Sequence, residues 1–494
     1  MVTDRSDALR SPRSFLSNWL LFPGLLALLA GCAGAGDHYL QVEHSLRQGD
    51  PERADHIIES AEPQYGAKSR LLYRMDRGMT LHLAGKYESS NMVLEQADQD
   101  VEALYTRRIR TETKAFLIND TELPYEGDPY EQVMINVIKA LNYAAGGNWN
   151  EALVEARRID NRLNLLTDRT GAKDGYRDDG FARYLCGVLY EATGDVNNAF
   201  IAYRNAYEAY RRAQSWAKTS IPPSLPADLL RTTEALHFTE EHEEYRRAFP
   251  KAAWKPMSET QSLAQLVVVS YNGRAPYKED LFIDLPVSME ALNLVLLNRG
   301  LNRPRQGRQA RAADSALYGL SGNVVRVALP RLVPQKTSIA YSEVSLTGTE
   351  TPFTARTELV DNLTAIAEKT LADRFTAISL KAVARAAVKN ALAEGAGYGT
   401  RAALGSDNNA GPWIGLLVTI LGRMFATYTE EADKRSWRTL PDEIHMTRLW
   451  VPPGIYQVKV RPVSRSGAVG RQEALRTVTL RQGETSLVTE RVLP

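Results

Sequence analysis

The feature that most constrains the fold is a pattern of small and bulky residues that recurs in three segments of the first half of the chain. The three sets are Gly78, Leu81, Gly85, Tyr87, Ser90, Leu94 and Ala97; Ala140, Tyr143, Gly147, Trp149, Ala152, Ala156 and Ile159; and Gly187, Tyr190, Gly194, Val196, Ala199, Tyr203 and Ala206. Small residues at these offsets let two helices approach closely, while bulky residues fill the groove between them. The pattern therefore predicts a tandem array of helical hairpins.

A weaker copy precedes these three and consists of Gly49, Ala54, Ile58 and Ala61. Together the copies resemble the tetratricopeptide repeat (TPR), a helical hairpin of 34 residues. The spacing of the turn glycines departs from that period, with 36, 62 and 47 residues between Gly49, Gly85, Gly147 and Gly194. The excess, at about 98–128 and 160–178, predicts extra helix and loop between hairpins. Ordinary hairpins packed as a bundle are the alternative.

The resemblance also implies a ligand-binding face, formed by fixed positions of the first helix of each hairpin. The protein-binding candidates at these positions are Met75, Met79, His82, Met134, Val137, Leu141, Tyr184, Val188 and Glu191. The face is mostly apolar and lacks the Lys and Asn residues of a carboxylate clamp. Two interpretations stay open: a groove for an apolar helix or strand of a partner protein, or a face covered by the protein's own C-terminal half.

The first 31 residues have the features of a secretory signal. Arginines precede an apolar run from Trp19 to Ala30, which ends in small residues directly before Cys32. The run is shorter than the roughly 20 residues that a spanning helix needs, and Pro23-Gly24 would interrupt it. Leu29-Ala30-Gly31-Cys32 resembles the bacterial lipobox, in which the cysteine thiol is acylated and becomes the new N-terminus. The resemblance implies lipid attachment at Cys32, with a plain secretory signal as the alternative.

Charge and cysteine content exclude several classes of protein. The 494 residues include 60 basic and 59 acidic side chains, a balance that argues against nucleic-acid binding. Removing residues 1–31 takes away three arginines and two aspartates and leaves 57 charges of each sign. Two cysteines are too few for a disulfide-stapled scaffold or a thiolate-rich metal site. We therefore expect the lipid anchor, rather than bulk charge, to attach the protein to the membrane.

Past residue 250 the apolar pattern changes from helical to strand-like. Leu263–Tyr271 is rich in β-branched residues and ends at the turn Asn272-Gly273, and the last 50 residues alternate around Pro452-Pro453-Gly454. These patterns predict an α+β fold, in which a TPR-like α-solenoid precedes a mixed region that ends in a small antiparallel β-sandwich. The predicted divisions are a signal peptide at 1–31, helical repeats at 32–250, a β-rich region at 251–356, a helical region at 357–440 and a β module at 441–494.

Two segments of the C-terminal half have alternative interpretations. Residues 412–431 form a nearly all-round apolar helix, too short to span a bilayer, that is either buried or inserted into a membrane or an oligomer. Residues 299–311 include five arginines, which would contact lipid phosphates or an anionic glycan, or form a solvated loop.

No catalytic or metal-binding motif emerges from the sequence. The nucleophile elbow, the phosphate-binding loop and the zinc-binding His pair are missing, and GAGYGT at 395–400 follows a helix rather than a strand. One polar cluster, at 429–441, contains Glu430, Asp433, Arg435 and Trp437. Its carboxylates would be able to do acid–base work, but a salt-bridged connection is the commoner arrangement. The sequence predicts no catalytic residue, no metal and no cofactor.

Together the lipobox, the irregular repeats, YNGRAPYKEDLFIDLP at 271–286, TEEADKRSWRTLP and the PPG turn resemble a family of bacterial outer-membrane lipoproteins with TPR-like repeats. The resemblance implies a role in envelope assembly or export. The anchor and the apolar face of the repeats predict a lipid-anchored, periplasm-facing, non-enzymatic scaffold that binds other envelope proteins. Alternatives are a peptidoglycan-associated envelope enzyme and an oligomeric, membrane-inserting part of a secretion assembly. The oligomeric state stays open.

Overall fold

The computed structural model of the protein describes residues 37–111, 120–170, 176, 178–286, 324–348, 352–379, 381–382, 431–470 and 474–493. Several predicted features lie outside these residues: the signal peptide with Cys32, the arginine-rich segment 299–311, the segment 395–400, Glu430 and all but the last residue of the apolar helix at 412–431.

The N-terminal half consists of helices that pair along the chain into antiparallel hairpins. The pairs are α1 (Asp37–Arg47) with α2 (Pro51–Ser60), α3 (Arg70–Leu83) with α4 (Tyr87–Thr111), α5 (Pro129–Ala145) with α6 (Trp149–Thr170), α7 (Gly180–Ala192) with α8 (Val196–Ala213), and α9 (Ser224–Ala235) with α10 (Thr239–Ala248). Each hairpin also packs against the next, so the array is continuous. The helical hairpins predicted from the small and bulky residues are present at the predicted places.

The same tight turn closes each of these hairpins. Gly49, Gly85, Gly147 and Gly194 have φ values between +71° and +80°, a left-handed conformation that glycine adopts without steric cost. The N–H of the following residue donates to the carbonyl five positions earlier, over 2.8–3.0 Å, as in a Schellman motif. In the fifth hairpin His237 takes the glycine's place at φ +58°, which is why the glycine spacing alone did not reveal this copy.

The small residues of the pattern lie where two helices of a hairpin touch. A Cβ atom on Gly187 would come within 2.3 Å of the Tyr203 ring, and one on Gly78 would come within 2.3 Å of Leu94 Cδ2. Such distances are too short for carbon atoms in contact. Glycine at these positions is therefore required by the bulky residue on the opposite helix.

In the part of the C-terminal half that the structure describes, the chain forms three sheets and one long helix. The strands are β1 (Ala264–Asn272), β2 (Tyr277–Pro286), β3 (Val324–Val333), β4 (Ile339–Thr347), β5 (Phe353–Arg356), β6 (Glu358–Asn362), β7 (Glu443–Val451), β8 (Gly454–Ser464), β9 (Ala474–Leu480) and β10 (Thr485–Val492), with helix α11 at 363–379. We call the sheet of order β10-β1-β7-β6 the inner sheet and the sheet of order β5-β4-β8-β9 the outer sheet. The remaining pair, β2 with β3, is a two-stranded ribbon that packs against α11.

The protein is α+β, as predicted, but its sheets combine regions that the sequence analysis separated. Strand β1 from the predicted β-rich region lies between β7 and β10 from the predicted C-terminal module. It pairs in parallel with β10, so the predicted antiparallel sandwich is corrected to a mixed one. Local patterns cannot reveal this arrangement, because paired residues such as Gln265 and Thr485 are far apart in the sequence.

The predicted helix from residue 357 begins later than its apolar pattern indicates. Residues Glu358–Asn362 form strand β6, which pairs with β7. The side chain of Asn362 then accepts a hydrogen bond from the N–H of Ala365 at 3.0 Å, the arrangement typical of a helix N-cap. The cap fixes the start of α11 after the strand.

The inner sheet is the middle of three layers. On one face Val267, Val269 and Tyr271 of β1 join the large core of the helical hairpins. On the other face Leu266 and Val268 join a second core with the outer sheet. Burial on both faces explains why β1 is an almost continuous apolar run rather than an alternating one.

Candidate functional site

The nine predicted protein-binding residues all lie inside the protein. Met75, Met79, Met134, Val137, Leu141, Tyr184 and Val188 are fully buried, His82 is 1% exposed, and the Glu191 side chain is 5% exposed. The inner sheet covers the face that they form. Of the two interpretations, the structure shows the second, in which the C-terminal half covers the hairpins. A partner would reach these residues only by displacing the sheet.

A chain of hydrogen bonds joins His82 of α3 to the inner sheet. The Tyr271 hydroxyl of β1 lies 3.0 Å from His82 Nε2, and His82 Nδ1 lies 2.6 Å from Asn142 Oδ1 on α5. Asn142 in turn donates to Ser90 at 2.8 Å. Since Asn142 Oδ1 can only accept, Nδ1 carries the proton and Nε2 accepts from tyrosine, which is the neutral imidazole. Burial lowers the pKa of His82 to about 4.

This shift predicts a loss of stability on acidification. The unfolded chain takes up a proton at His82 near its ordinary pKa of about 6.5, whereas the folded chain does not until about pH 4. The histidine's contribution to the free energy of unfolding therefore falls by on the order of 2 kcal/mol between about pH 7 and pH 5. Urea unfolding at several pH values should show that the free energy of unfolding of His82→Gln falls less steeply than that of the wild type as the pH is lowered.

The control for this experiment is His56→Gln, because the His56 side chain is 78% exposed. It should retain the wild-type profile. If the free energy of unfolding of His82→Gln fell with decreasing pH as steeply as that of the wild type, this result would contradict the burial of the histidine.

Asp76 makes a second connection between hairpins and sheet. Its carboxyl accepts from the Tyr39 hydroxyl at 2.6 Å, from the Tyr65 hydroxyl at 2.9 Å and from Thr439 Oγ1 at 2.8 Å, in the segment before β7. Burial raises the pKa of Asp76 to about 6, although these donors favour the charged form. The stabilising contribution of Asp76 is therefore lost as the pH rises through 6. The contribution of His82 changes in the opposite direction, because it is lost as the pH falls. Only the comparison of the wild type with His82→Gln isolates the effect of the histidine.

Glu191 belongs to the most strongly charged part of the interface. Arg231 on α9 and Arg448 on β7 both bind its carboxylate, at 2.6 Å, and Arg448 also binds Asp228 at 2.6 Å. We call these four residues the Glu191 quartet; its side chains are 3–5% exposed. Burial raises the pKa of Glu191, but the two guanidinium groups outweigh burial and hold it well below its usual range. Two positive and two negative charges thus balance inside the protein.

Glu191 was predicted as a protein-binding residue, and the sequence did not indicate its pairing with Asp228, Arg231 and Arg448. Arg448 stands in the middle of the strand EIHMTRLWV, where a charged residue among apolar ones requires a buried partner. The position of Arg448 therefore indicates that a buried acidic partner exists, but the sequence does not reveal which residue that partner is.

A further buried carboxyl, Glu131, lies at the start of α5. It accepts from the backbone N–H of Asp128 and from that of Trp437, each at 2.7 Å. Burial and the neighbouring Asp128 raise the pKa of Glu131, whereas Lys278 and Arg374 overcome burial and lower that of Asp128. Two carboxyls with separated pKa values are typical of acid–base sites. Here, however, their hydrogen bonds cap a helix and hold the segment 431–441 in place.

The predicted polar cluster at 429–441 is a salt-bridged connection in the part that the structure describes. Asp433 binds Arg435 at 2.7 Å, and the Arg435 guanidinium lies over the Tyr125 ring. Trp437 is 1% exposed and belongs to the core of the hairpins. The cluster therefore ties the inner sheet to the hairpins, and Glu430 lies outside the described residues.

Two cavities lined by described residues are candidate ligand sites. The larger, of about 560 Å³, lies between α4 and α6, and we call it the α4–α6 groove. Its wall includes Tyr105 and Leu165, which are 37% and 50% exposed, together with charged residues such as Glu102 and Arg158. All but one of its lining residues lie on α4 and α6, the second helices of two hairpins, and Gln132 lies on α5.

The second cavity, of about 220 Å³, lies where α1, the segment after β1, the segment before β7 and the end of β10 meet. We call it the Arg438 cavity, after a residue in its wall. Neither cavity is lined by the Glu191 quartet, by Glu131 or by Asp433.

Comparison with known proteins gives structural neighbours alone. No family model matches the chain, and no curated protein matches its sequence. Among solved structures, MamA 41-end from Desulfovibrio magneticus RS-1 is 13% identical and covers 44% of this chain and 92% of its own, with a TM-score of 0.27. The MamA RS-1 ArsTM double mutant is 14% identical and covers 44% of this chain and 97% of its own, with a TM-score of 0.26.

Within the described ranges, no three His, Cys, Asp or Glu side chains lie close enough to hold a metal ion. Among the helices described, none is both long and apolar enough to cross a bilayer.

Proposed function

We propose that the protein is a lipid-anchored, periplasm-facing scaffold of the bacterial outer membrane, in which TPR-like hairpins hold other envelope proteins. The lipobox ending at Cys32 supports the anchor, because each buried methylene of an attached acyl chain contributes about 0.8 kcal/mol to membrane binding. The residue after the cysteine is Ala33 rather than Asp, which favours the outer membrane in enteric-type sorting.

The scaffold part of the proposal is supported by the inner sheet, which covers the hairpins. The Glu191 quartet, His82 and Asp76 join hairpins and sheet at three separate places, so one body with a fixed shape results. The buried carboxyls of Glu191, Asp228 and Asp76 are engaged in these connections, and the proposal includes no catalytic step. Partner proteins would then bind the outer surface rather than the covered face.

The α4–α6 groove is the part of that surface best suited to a partner segment. Its volume lies within the range of about 300–1,000 Å³ found for ligand sites. Exposed Leu165 and Tyr105 offer apolar contacts, and Arg158 and Glu102 offer charged ones, as the core and rim of a protein interface do.

Site-specific photo-crosslinking in intact cells tests this proposal. A crosslinker at Tyr105 or Leu165 should give a discrete adduct with an envelope protein. The same crosslinker at Ile455, which is 63% exposed on the outer sheet, is the matched surface control, and Val188 is the buried one. Adducts from Val188, or none from either groove position, would contradict a scaffold that binds through its outer surface.

The anchor has its own test. Mass spectrometry of the mature protein should find an N-terminal Cys32 with attached acyl chains, and labelled palmitate should enter the wild type but not Cys32→Ala. An unmodified mature N-terminus at another residue would contradict the anchor and leave the crosslinking result unaffected.

A further inference from the structure

Two buried carboxyl groups lie where the edge strand of the inner sheet meets the hairpins. Asp179 precedes α7 and Asp361 lies on β6, and these residues are 2% and 5% exposed. In the part of the chain that the structure describes, no lysine, arginine or histidine pairs with either carboxyl. Acidic groups are rarely buried without a partner of opposite charge, so this pair differs from the Glu191 quartet.

The Tyr210 side chain of α8 contacts the neighbours of both acids. Its hydroxyl donates to the carbonyl of Val360, the residue before Asp361, at 2.7 Å. A Cβ atom on Gly180, the residue after Asp179, would come within 2.7 Å of the same ring. A single aromatic ring therefore joins the start of α7 to β6. We call this place, with its two acids, the β6–α7 junction.

The hydrogen bonds of the two acids leave one carboxyl oxygen without a partner. Asp179 accepts from the N–H of Ala182 at 2.8 Å, as a helix N-cap does, and from the Tyr176 hydroxyl. Asp361 Oδ1 accepts from the N–H of Asn362 at 2.9 Å, and its Oδ2 has no hydrogen-bond partner among the described residues. A buried carboxylate with so few donors is costly, whereas a protonated carboxyl has no charge to desolvate.

The cations around the junction do not compensate the pair. Three of them are each bound to an acid outside it: Arg183 on α7 to Asp160 at 2.5 Å, Arg212 on α8 to Asp178, and Lys336 before β4 to Asp442 at 3.1 Å. The two acids therefore keep their negative charge unbalanced whenever both are ionised.

Three other titratable groups lie on β6 and on the strand beside it. Glu358 of β6 accepts from the Ser224 N–H at 3.0 Å and from the Ser224 hydroxyl at 2.8 Å, and burial raises its pKa. Glu443 and His445 of β7 flank the residue that pairs with Asp361, so they point to the other face of the sheet, where they bond to each other at 3.2 Å. None of these groups supplies a positive charge to the pair.

We propose that one proton held by Asp179 and Asp361 fastens β6 to α7, and that loss of this proton as the pH rises releases the strand from the hairpins. Two ionised carboxylates at one buried junction repel each other, and no cation offsets the repulsion. Burial and the neighbouring Asp179 accordingly raise the pKa of Asp361 well above its ordinary value of 3.8. The folded junction thus keeps a proton that the unfolded chain has lost above about pH 4, so increasing pH favours opening.

Release of β6 would uncover one end of the hairpin face and leave the rest of the cover in place. Tyr184, one of the predicted protein-binding residues, donates to the Ser224 hydroxyl at 2.9 Å, and that hydroxyl donates to Glu358 of β6 at 2.8 Å. Since β6 is an edge strand, its departure breaks only its own pairing with β7 and leaves β10, β1 and β7 paired. Strand β6 is therefore a pH-dependent edge of the cover.

Hydrogen exchange of the whole mature chain between pH 6 and pH 9, followed by mass spectrometry, tests the junction. Asp361→Asn keeps the size of the side chain and removes its charge. After correction for intrinsic exchange rates, protection of the β6 amides in the wild type should fall, relative to Asp361→Asn, by up to tenfold per pH unit, the slope for one proton. This comparison cancels the contribution of Glu358, which both chains contain. The matched control is Asp284→Asn on β2, where the side chain is 50% exposed, and it should follow the wild type.

A fall in β6 protection that is equally steep in the wild type and in Asp361→Asn, or absent from both, would overturn the proposal. Asp179→Asn provides a second measurement if Asp361→Asn does not fold, because asparagine also caps helices. Its β6 amides should lose less protection between pH 6 and pH 9 than those of the wild type, and an unchanged loss would overturn the proposal as well. Strand β1 should stay more protected than β6 at every pH. Equal protection of the two strands at pH 9 would show release of the whole sheet and overturn the assignment to its edge.

Discussion

Arg448→Ala is expected to lower the free energy of unfolding by about 3–5 kcal/mol, because it leaves Glu191 and Asp228 buried with only Arg231 to balance them. The matched control is Arg461→Ala on the outer sheet. Its ion pair with Glu343 is 40% and 35% exposed, and exposed pairs contribute about 1 kcal/mol or less. Urea unfolding monitored by circular dichroism measures both variants. Equal losses in the two would contradict the burial of the quartet.

The loss in Arg448→Ala should also depend on pH. In the wild type the pKa of Glu191 is held low by Arg231 and Arg448 against the effect of burial, so its stabilising contribution disappears as the pH falls. In the variant the lowering of the Glu191 pKa is reduced, and Glu191 can become neutral by taking up a proton. The difference in stability between wild type and Arg448→Ala should therefore shrink from neutral pH towards about pH 4.

Trp437→Ala should be similarly severe, with a loss of about 3–5 kcal/mol, the range for truncation of a buried large aromatic residue. Trp437 connects the segment before β7 to the hairpins: its ring belongs to their core, and its backbone N–H donates to Glu131. The variant should unfold at a lower urea concentration and keep the cooperativity of the wild type.

Trp437→Phe is the control, because it keeps most of the ring and loses the indole hydrogen bond to Thr439 at 2.9 Å. The expected cost is about 1 kcal/mol. A loss in Trp437→Ala no larger than in Trp437→Phe would show that the ring is not part of the core.

The helical hairpins were predictable because their determinants are local. Glycines such as Gly85 and Gly194 mark the turns, and pairs such as Gly187 with Tyr203 set the distance between helices within a hairpin. Both signals depend on short sequence offsets. Where a different residue took the left-handed position, as His237 does, the helical pair at 226–249 was predicted but was not recognised as a further copy of the repeat, although its turn makes the same hydrogen bond.

The covering of the hairpins was not predictable, because it depends on contacts between distant parts of the chain. The apolar face that contains Met79 and Val188 is equally suited to a partner or to the protein's own sheet. The parallel pairing of β1 with β10, which forms the sheet that covers it, joins strands more than 200 residues apart. The charges of the quartet were visible one by one, but their pairing across α7, α9 and β7 was not.

The net charge of the whole chain likewise does not reveal where charged residues cluster in the fold. A balance of 57 positive and 57 negative side chains after residue 31 gives no bulk attraction to a membrane. Arg274, Arg438 and Arg491, which line the Arg438 cavity, come together only in the folded protein.

The central claim, that the protein's own sheet permanently covers the hairpins, is tested most directly by thiol accessibility at Val188. Val188→Cys is prepared in a chain in which Cys32 and Cys186 are replaced by alanine, and Ile455→Cys in the same background is the exposed control. We predict that the thiol at 188 reacts with a maleimide reagent only at the rate of global unfolding, while the thiol at 455 reacts at once. Equally fast reaction at both positions, in a protein shown to be folded, would contradict the claim and return the hairpin face to the list of open binding sites.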